Sequence, residues 1–474
     1  MKARTGLLLF ALALLIRLPG LDLGLWFDEI WLLVDRLRLE ASTLFVEYGS
    51  DNNHPLYTWL AWGCCRLFGE SAWAIRLPAL LAGAWAVPLL HRFAARWLAP
   101  REALAAALLL ACSSHAVLFS QNARGYTLLL ALPLVATDRL FDLLDRPDRR
   151  TVTTYALSLG AATFVHATAV FLALAHLPLV LKPRARNTAG GPSRLPLLAL
   201  GLAGLFSLAC HAGFLSDMLQ FYRRPPEMRA APFDWRSPLW TLRATIESFG
   251  IGLLPGAILA AGAATILVAG LIELGGRDRR LPWLAFGPAI LGLLVMNLMG
   301  RNLWPRFFFA FSGFLLITAI AGLRALARGL SARIGRPNLE KRLVAMGLIV
   351  LFAAASFRLP AVWTLPKQDF VGAANGARAE ALPGEPILTV GLATFPYTAW
   401  MKTGFEGVET VEALDRALDS SPTRSALVID TLPIFLAARS PELARRVHQE
   451  GRLIRAFPGS IGGAEVSLRR LESR

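Results

Sequence analysis

The chain has 474 residues, of which 55% are hydrophobic and 17% charged. That is too apolar for a soluble globule and points to a polytopic α-helical membrane protein. The net charge of +16 falls in Arg-rich stretches between apolar runs, where it sets topology and meets lipid headgroups, so nucleic acid is not an expected partner.

A spanning helix needs roughly 17 to 25 mostly apolar residues, and loops rich in Lys and Arg stay in the cytoplasm. Lys2 and Arg4 precede an apolar run, Gly6 to Ile16, that has no small-residue cleavage site and is followed by Arg17-Leu18-Pro19. An uncleaved first span over Thr5–Leu21 is expected. It leaves the basic N-terminus inside and delivers Leu25-Trp26-Phe27-Asp28-Glu29 to the outside. The first external loop then covers residues 22–74, with His54-Pro55-Leu56-Tyr57 in its middle. Its apolar piece Leu56–Phe68 is too short to cross and suits an interfacial or re-entrant helix.

Further spans are expected over Ala74–Leu90, Leu104–Phe119, Thr127–Leu144, Thr153–Val165, Ala169–Leu181, Leu195–Leu215, Ile251–Ile272, Trp283–Met299, Phe307–Leu323 and Leu343–Phe357. The inner connections are basic: Arg92, Arg96 and Arg101; Arg146, Arg149 and Arg150; Lys182, Arg184 and Arg186; Arg277, Arg279 and Arg280; and the run Arg324 to Arg342. The total is about eleven spans, N-terminus in and C-terminus out. All of the cysteines (Cys64, Cys65, Cys112, Cys210) lie in apolar segments, which implies neither a disulfide framework nor a zinc site.

After residue 358 the composition becomes that of a globule. Gln368–Ala381 and Pro433–Glu450 read as helices, and Pro386–Gly391, Ser425–Ile429, Arg452–Phe457 and Ala464–Arg469 as strands. Residues 1–358 are thus expected to form a transmembrane catalytic domain, and 359–474 a small extracytoplasmic α/β domain that serves as a lid, in acceptor binding or as a passive cap. No internal repeat is found, which weighs against inverted-repeat transporters.

Asp28-Glu29 sits just past the first span. A carboxylate held there, partly desolvated, has the basicity to take a proton from an incoming hydroxyl. The pair also fits the solvated face of a surface helix whose apolar stripe is Trp26, Ile30, Leu33 and Leu37. His54 before Pro55 is either a simple cap or a phosphate contact at a helix N-terminus. Arg124, Arg223, Arg224, Arg301 and Arg306 lie on the outer side against the inside bias, with Tyr126 and Trp304 beside two of them. Each alone fits snorkelling to headgroups; five together suit an outward cationic basin that takes phosphate in bidentate fashion.

In order and spacing, Asp28-Glu29, His54-Pro55-Leu56-Tyr57, Arg76-Leu77-Pro78-Ala79, Ala123-Arg124-Gly125-Tyr126 and Trp304-Pro305-Arg306-Phe307 resemble the motifs of the GT-C fold membrane glycosyltransferases. The resemblance is strongest to family 39 and its relatives, the protein O-mannosyltransferases and the lipid A aminoarabinose transferase, and covers Met1 to about Ala327. It implies a glycosyltransferase in a bacterial cytoplasmic membrane that moves a sugar from a polyprenyl-phosphate donor to a lipid, glycan or protein acceptor at the outer face, with inversion. By the same resemblance Asp28 is the catalytic base with Glu29 in support. His54, Arg124, Arg306 and Arg301 hold the donor phosphate, and Tyr57, Tyr126, Arg76 and Trp304 line the substrate pocket.

Leu56 replaces one proline of the family pattern, and no mannosyltransferase repeat domain interrupts an outer loop. Neither an Asp-x-Asp pair nor a Trp-Trp-Asp signature is present, so no cofactor is assigned; a divalent metal is compatible with the chemistry but unsupported by a ligand set. The alternatives are a glycan ligase or polymerase using a lipid-diphosphate oligosaccharide, and a lipid-linked sugar transporter. A transporter would need polar midplane residues that are scarce here.

Overall fold

The structure is a computed structural model, describing residues 3–50, 53–181, 194–223, 233–247 and 253–473. Lys2, Lys182, Arg184, Arg186 and Arg224 lie outside the described residues. The first half comprises α1 (Ala3–Arg17), α2 (Phe27–Leu32), which continues as a π-helical turn Leu33–Leu37, α3 (Ala41–Val46), α4 (Pro55–Phe68), α5 (Ala72–Ala94), α6 (Pro100–Cys112), α7 (Ser114–Ser120), α8 (Tyr126–Asp145), α9 (Arg149–Val165) and α10 (Val170–Leu181). Then follow α11 (Leu195–His211), α12 (Leu215–Arg223), α13 (Pro238–Glu247), α14 (Leu253–Arg277), α15 (Arg280–Leu298), the 3-10 segment Pro305–Phe311, α16 (Ser312–Ile334) and α17 (Pro337–Ser356).

Every apolar segment expected to span contains a helix, although the first helix ends at Arg17 and the Leu104–Phe119 segment breaks at Ser113. Among the described residues, by length and composition alone, five helices suffice to cross a bilayer, or seven if the bent pairs α6/α7 and α11/α12 each count as one span. The expected total of about eleven includes α1, α9 and α10, which are 15, 17 and 12 residues long, and α8, which carries Asp138, Arg139 and Asp142. The α11/α12 bend of 86° ends the expected Leu195–Leu215 span at His211 and turns α12 aside. As the spacing predicts, α4 stays a short helix of 14 residues, with Pro55 in its first turn, where the missing N–H is not needed.

Helices α14 and α16 touch backbone to backbone. A Cβ on Gly270 would stand 1.9 Å from the Thr318 carbonyl oxygen, and one on Gly322 1.8 Å from that of Ile266. Small residues permit such close approach where helices pack without a hydrophobic drive between them. The basic ends of the helices are joined by ion pairs, Arg96 to Asp138 at 2.6 Å, Arg324 to Glu102 at 2.8 Å and Arg280 to Asp145 at 3.2 Å. The candidate site lies at the opposite end of these helices.

There, Arg17 at the end of α1 is fully buried and donates to Ser120 Oγ at 2.9 Å and to the Ala111 and Leu110 carbonyls at 3.2 and 3.3 Å. Those are the carbonyls that the last turn of α6 leaves without helical partners. The guanidinium therefore holds the 57° bend between α6 and α7 and places the turn that follows.

The C-terminal part runs α18 (Leu359–Thr364), α19 (Phe370–Glu380), β1 (Ile387–Val390), β2 (Glu406–Val408), α20 (Val411–Ser420), β3 (Ser425–Thr431), α21 (Pro433–Arg439), α22 (Pro441–Arg445), β4 (Arg452–Phe457) and β5 (Val466–Glu472). The sheet order is β2-β1-β3-β5-β4, with β1 parallel to β2 and β3, and β5 antiparallel to β3 and β4. All seven residues of β3 are buried, as a strand covered on both faces requires. The expected helix Pro433–Glu450 breaks at Ser440 (φ −139°, ψ 76°), because Pro441 cannot continue it. Strand β2 and helix α20 were not anticipated.

One hydrophobic cluster joins the first loop to the sheet: Leu25, Ile30, Leu33 and Ile75 pack with Phe370, Leu427, Ile429 and Leu468. The C-terminal part and the loop that carries Asp28 share a core.

Candidate active site

Helix α2 presents its two acids in different directions. Glu29 has no exposed surface and accepts from Arg76 Nε at 2.8 Å, Arg76 Nη2 at 2.6 Å, the Ala123 amide at 2.7 Å and the Trp26 amide at 3.3 Å. Lys367 Nζ lies 3.6 Å from it. Burial works to raise the Glu29 carboxyl, but Arg76 and Lys367 overcome it and hold the group down to about 2. Glu29, expected in support of Asp28, is therefore a buried, charged anchor.

Arg76, expected in the substrate pocket, is the partner of that anchor. It is fully buried and spends its remaining donors on the Leu21, Leu23 and Gly24 carbonyls, at 2.7, 2.7 and 3.1 Å. It shapes the loop after α1. Tyr57, also expected in the substrate pocket, is 1% exposed and donates to the Ile75 carbonyl at 2.7 Å, so it ties α4 to α5 inside the core.

Asp28 keeps a partly exposed carboxylate, with Oδ2 3.9 Å from Arg124 Nη1. Arg124 is held by the turn Gln121–Arg124, whose members each have an anchor. Gln121 Nε2 donates to the Arg17 carbonyl at 2.9 Å, Asn122 Oδ1 accepts from Trp26 Nε1 at 3.0 Å, and the Ala123 amide meets Glu29. The buried acid thus fixes the turn that carries the cation facing its neighbour.

Behind Arg124 stand His54, Tyr126 and His166, all largely buried. The His54 ring lies 4.9 Å from both Tyr126 and His166, and His166 lies 5.0 Å from Phe307, the residue after Arg306. Burial, then Arg124, His166 and Arg306, push His54 well below its ordinary range, and burial with the same two arginines brings His166 down to about 3. Both imidazoles are neutral near pH 7. Both ring nitrogens of His54 and the Tyr126 hydroxyl are buried without a hydrogen-bond partner among the described residues. Gly125 makes this packing feasible: a Cβ there would stand 2.5 Å from Val165 Cγ1 and 2.9 Å from His54 Nδ1.

Arg306 lies over the Trp304 ring at 4.6 Å, and Trp304 packs on Trp235 and Trp240 at 4.7 and 5.5 Å. Arg301 goes elsewhere: it donates to the Tyr222 carbonyl at 2.9 Å and sits over that ring at 4.8 Å. Tyr222 in turn meets Tyr48 of the first loop, hydroxyl to hydroxyl, at 3.0 Å. Arg223 is exposed at the end of α12. Of the four arginines of the expected basin that lie among the described residues, Arg124 and Arg306 are the two beside the histidines; Arg224 lies outside the described residues.

His166, Lys367 and Gln368 were not among the expected site residues. Lys367 is buried and donates to the Gln121 carbonyl; burial and Arg76 bring it down to about 7 against the pull of Glu29. Among the described residues no three His, Cys, Asp or Glu side chains converge as a metal-ligand set. Two cations, neutral imidazoles and a phenol form a set suited to an anion.

Residues 52–212, which hold His54, Arg124, Tyr126 and His166, match the family model described as dolichyl-phosphate-mannose-protein mannosyltransferase. No curated protein matches the chain in sequence. Among solved structures the chain is similar to the oligosaccharyltransferase of Archaeoglobus fulgidus tethered with an acceptor peptide, at TM-score 0.50 and 14% identity over 98% of this chain and 74% of that one. It is also similar to ArnT from Cupriavidus metallidurans bound to undecaprenyl phosphate, at TM-score 0.49 and 14% identity over 99% and 98% of the two chains. The chain is a polytopic membrane protein of the GT-C glycosyltransferase fold, with the mannosyltransferase family's sequence pattern in residues 52–212.

Proposed function

We propose that the protein transfers a sugar from a polyprenyl-phosphate donor to a lipid, glycan or protein acceptor at the outer face of a bacterial cytoplasmic membrane, the N-terminus lying inside. The observation that carries this reading is the pairing of a partly exposed carboxylate, Asp28, with a buried guanidinium, Arg124, at 3.9 Å. Beside them are buried polar groups without hydrogen-bond partners among the described residues, the His54 ring nitrogens and the Tyr126 hydroxyl. Leaving such groups unsatisfied costs about 1–3 kcal/mol each, a cost that an anionic ligand would remove. The matched family model, named for a dolichyl-phosphate sugar, supports a lipid phosphate as that anion.

In this mechanism the acceptor hydroxyl gives its proton to Asp28 as its oxygen attacks the anomeric carbon. The bond from that carbon to the phosphate oxygen breaks on the opposite side, and its electron pair stays on the lipid phosphate. Arg124 and Arg306 offset the developing charge, with His54 or Tyr126 donating a hydrogen bond; fixed donors aimed at developing charge are usually a large catalytic term. Displacement in line inverts the anomeric centre.

The test is transfer of radiolabelled sugar from synthetic polyprenyl-phosphate donors into membrane extracts, wild type against Asp28→Asn. Loss of a general base is expected to cost about 10²- to 10⁴-fold, with the variant folded and still binding lipid phosphate. Full activity in Asp28→Asn would remove Asp28 from the role.

A further inference from the structure

Two consecutive residues at the start of the C-terminal part reach both halves of the Asp28–Arg124 pair. Gln368 Oε1 accepts from the Phe27 amide at 2.9 Å, and its Nε2 donates to Thr431 Oγ1 at 3.1 Å, at the end of the central strand β3. The Phe27 amide belongs to the first turn of α2, where helix N–H groups have no partner within the helix. Gln368 therefore caps, from 341 positions away, the helix that carries Asp28 one residue later. Lys367 donates to the Gln121 carbonyl, the first residue of the turn that ends in Arg124. Both side chains are at least nine-tenths buried.

We infer that Lys367 and Gln368 are positioning residues, a clip through which the C-terminal domain sets the distance and facing of Asp28 and Arg124. The inference rests on the roles proposed for those two residues. It gives the domain a part in the reaction that a passive cap would lack: any displacement of β3 moves Thr431, then Gln368, then the start of α2. Strand β3 is held in turn by the Thr431 hydroxyl on the Glu465 carbonyl at 3.0 Å.

The test uses the full chain in nanodiscs and three variants: Gln368→Met, Gln368→Glu, which keeps the acceptor for the Phe27 amide, and Lys367→Met. Hydrogen exchange over residues 26–32 should rise about tenfold in Gln368→Met and return to within about threefold of wild type in Gln368→Glu. Exchange over residues 121–125 should rise in Lys367→Met, with affinity for undecaprenyl phosphate falling roughly tenfold as Arg124 loosens. In Gln368→Met that affinity should hold, while label transfer falls roughly 10- to 100-fold, as expected for a misplaced reacting group.

Wild-type exchange in both segments of both variants overturns the clip, as does a Gln368→Glu protein no better protected than Gln368→Met. If Lys367→Met does not fold, the Gln368 pair decides. If wild type fails to bind undecaprenyl phosphate, the donor reading falls, and the exchange measurement still decides whether the clip exists.

Discussion

Arg76 grips Glu29 through Nε and Nη2 at 2.8 and 2.6 Å, with neither side chain exposed. Removing one member of such a pair leaves an uncompensated charge in the interior, at a cost of about 3–5 kcal/mol. Arg76→Ala and Glu29→Gln should therefore lower the melting temperature of the purified protein sharply, and lose transfer through instability. The double variant Glu29→Gln with Arg76→Met should recover part of the loss, because the Arg76 charge leaves with its partner and only Lys367, 3.6 Å from Glu29, still loses a carboxylate. The folded Glu29 titrates at about 2, below its ordinary 4.5. Its contribution is thus complete above pH 4.5 and lost as pH falls towards 2. A melting temperature followed from pH 6 to 3 should fall more steeply in wild type than in Glu29→Gln.

The two histidines behave differently from a catalytic imidazole that switches near neutrality. His166 is held near 3 against an ordinary 6.5, so the folded protein keeps it neutral while the unfolded chain takes up a proton. Stability from that neutral form is full above pH 6.5 and is lost as pH falls towards 3. His166→Asn should flatten this part of the acid sensitivity. The pH–rate profile of transfer should show no histidine inflection between pH 5 and 8; an inflection near 6.5 that disappears in His54→Asn or His166→Asn would contradict this account.

Gly125 tests the packing behind Arg124. The Cβ of Gly125→Ala would press on Val165 and on the His54 ring, at 2.5 and 2.9 Å. Forcing atoms into such a site costs about 1–3 kcal/mol. The variant should fold with reduced thermal stability, and undecaprenyl phosphate affinity should fall roughly tenfold because the displaced ring and Arg124 share one wall. Wild-type affinity in Gly125→Ala would mean that His54 does not contribute to that wall.

The helices were legible because each is a run of apolar residues ended by arginines, a signal contained within its own stretch. Helix α20 had a readable stripe, Leu414 and Leu418, four residues apart, whereas β2, with only Glu406, Gly407 and Val408, is too short and polar for alternation to register. Asp28, His54, Arg124, Tyr126 and Arg306 could be singled out by residue type and by their places between spans. Their true neighbours could not. Glu29 is paired with Arg76 across 47 positions, and Gln368 with Phe27 across 341. Nothing local distinguishes an acid that stays partly exposed, as Asp28 does, from one that is buried and anchors a turn, as Glu29 does. Lys367 and His166 were passed over because each stands alone in its stretch; only folding sets one by Glu29 and the other by His54.

The shared core leads to a prediction about the C-terminal part as a whole. Ile30 and Phe370 are fully buried in the same cluster as Leu427 and Ile429, so the sheet domain and the Asp28 loop bury one another's apolar faces. Ile30→Ala should cost about 2–5 kcal/mol, although Ile30 lies far in sequence from every strand. A chain ending at Thr364 should lose that core together with Lys367 and Gln368, exposing an apolar face beside the first loop. It should be recovered poorly from membranes, and its first loop should be cut rapidly by protease under conditions that leave wild type intact. If the chain ending at Thr364 were instead monodisperse, with a protected first loop, the loop would be held by the helical bundle alone. The coupling of sheet to site argued here would then have no mechanical basis.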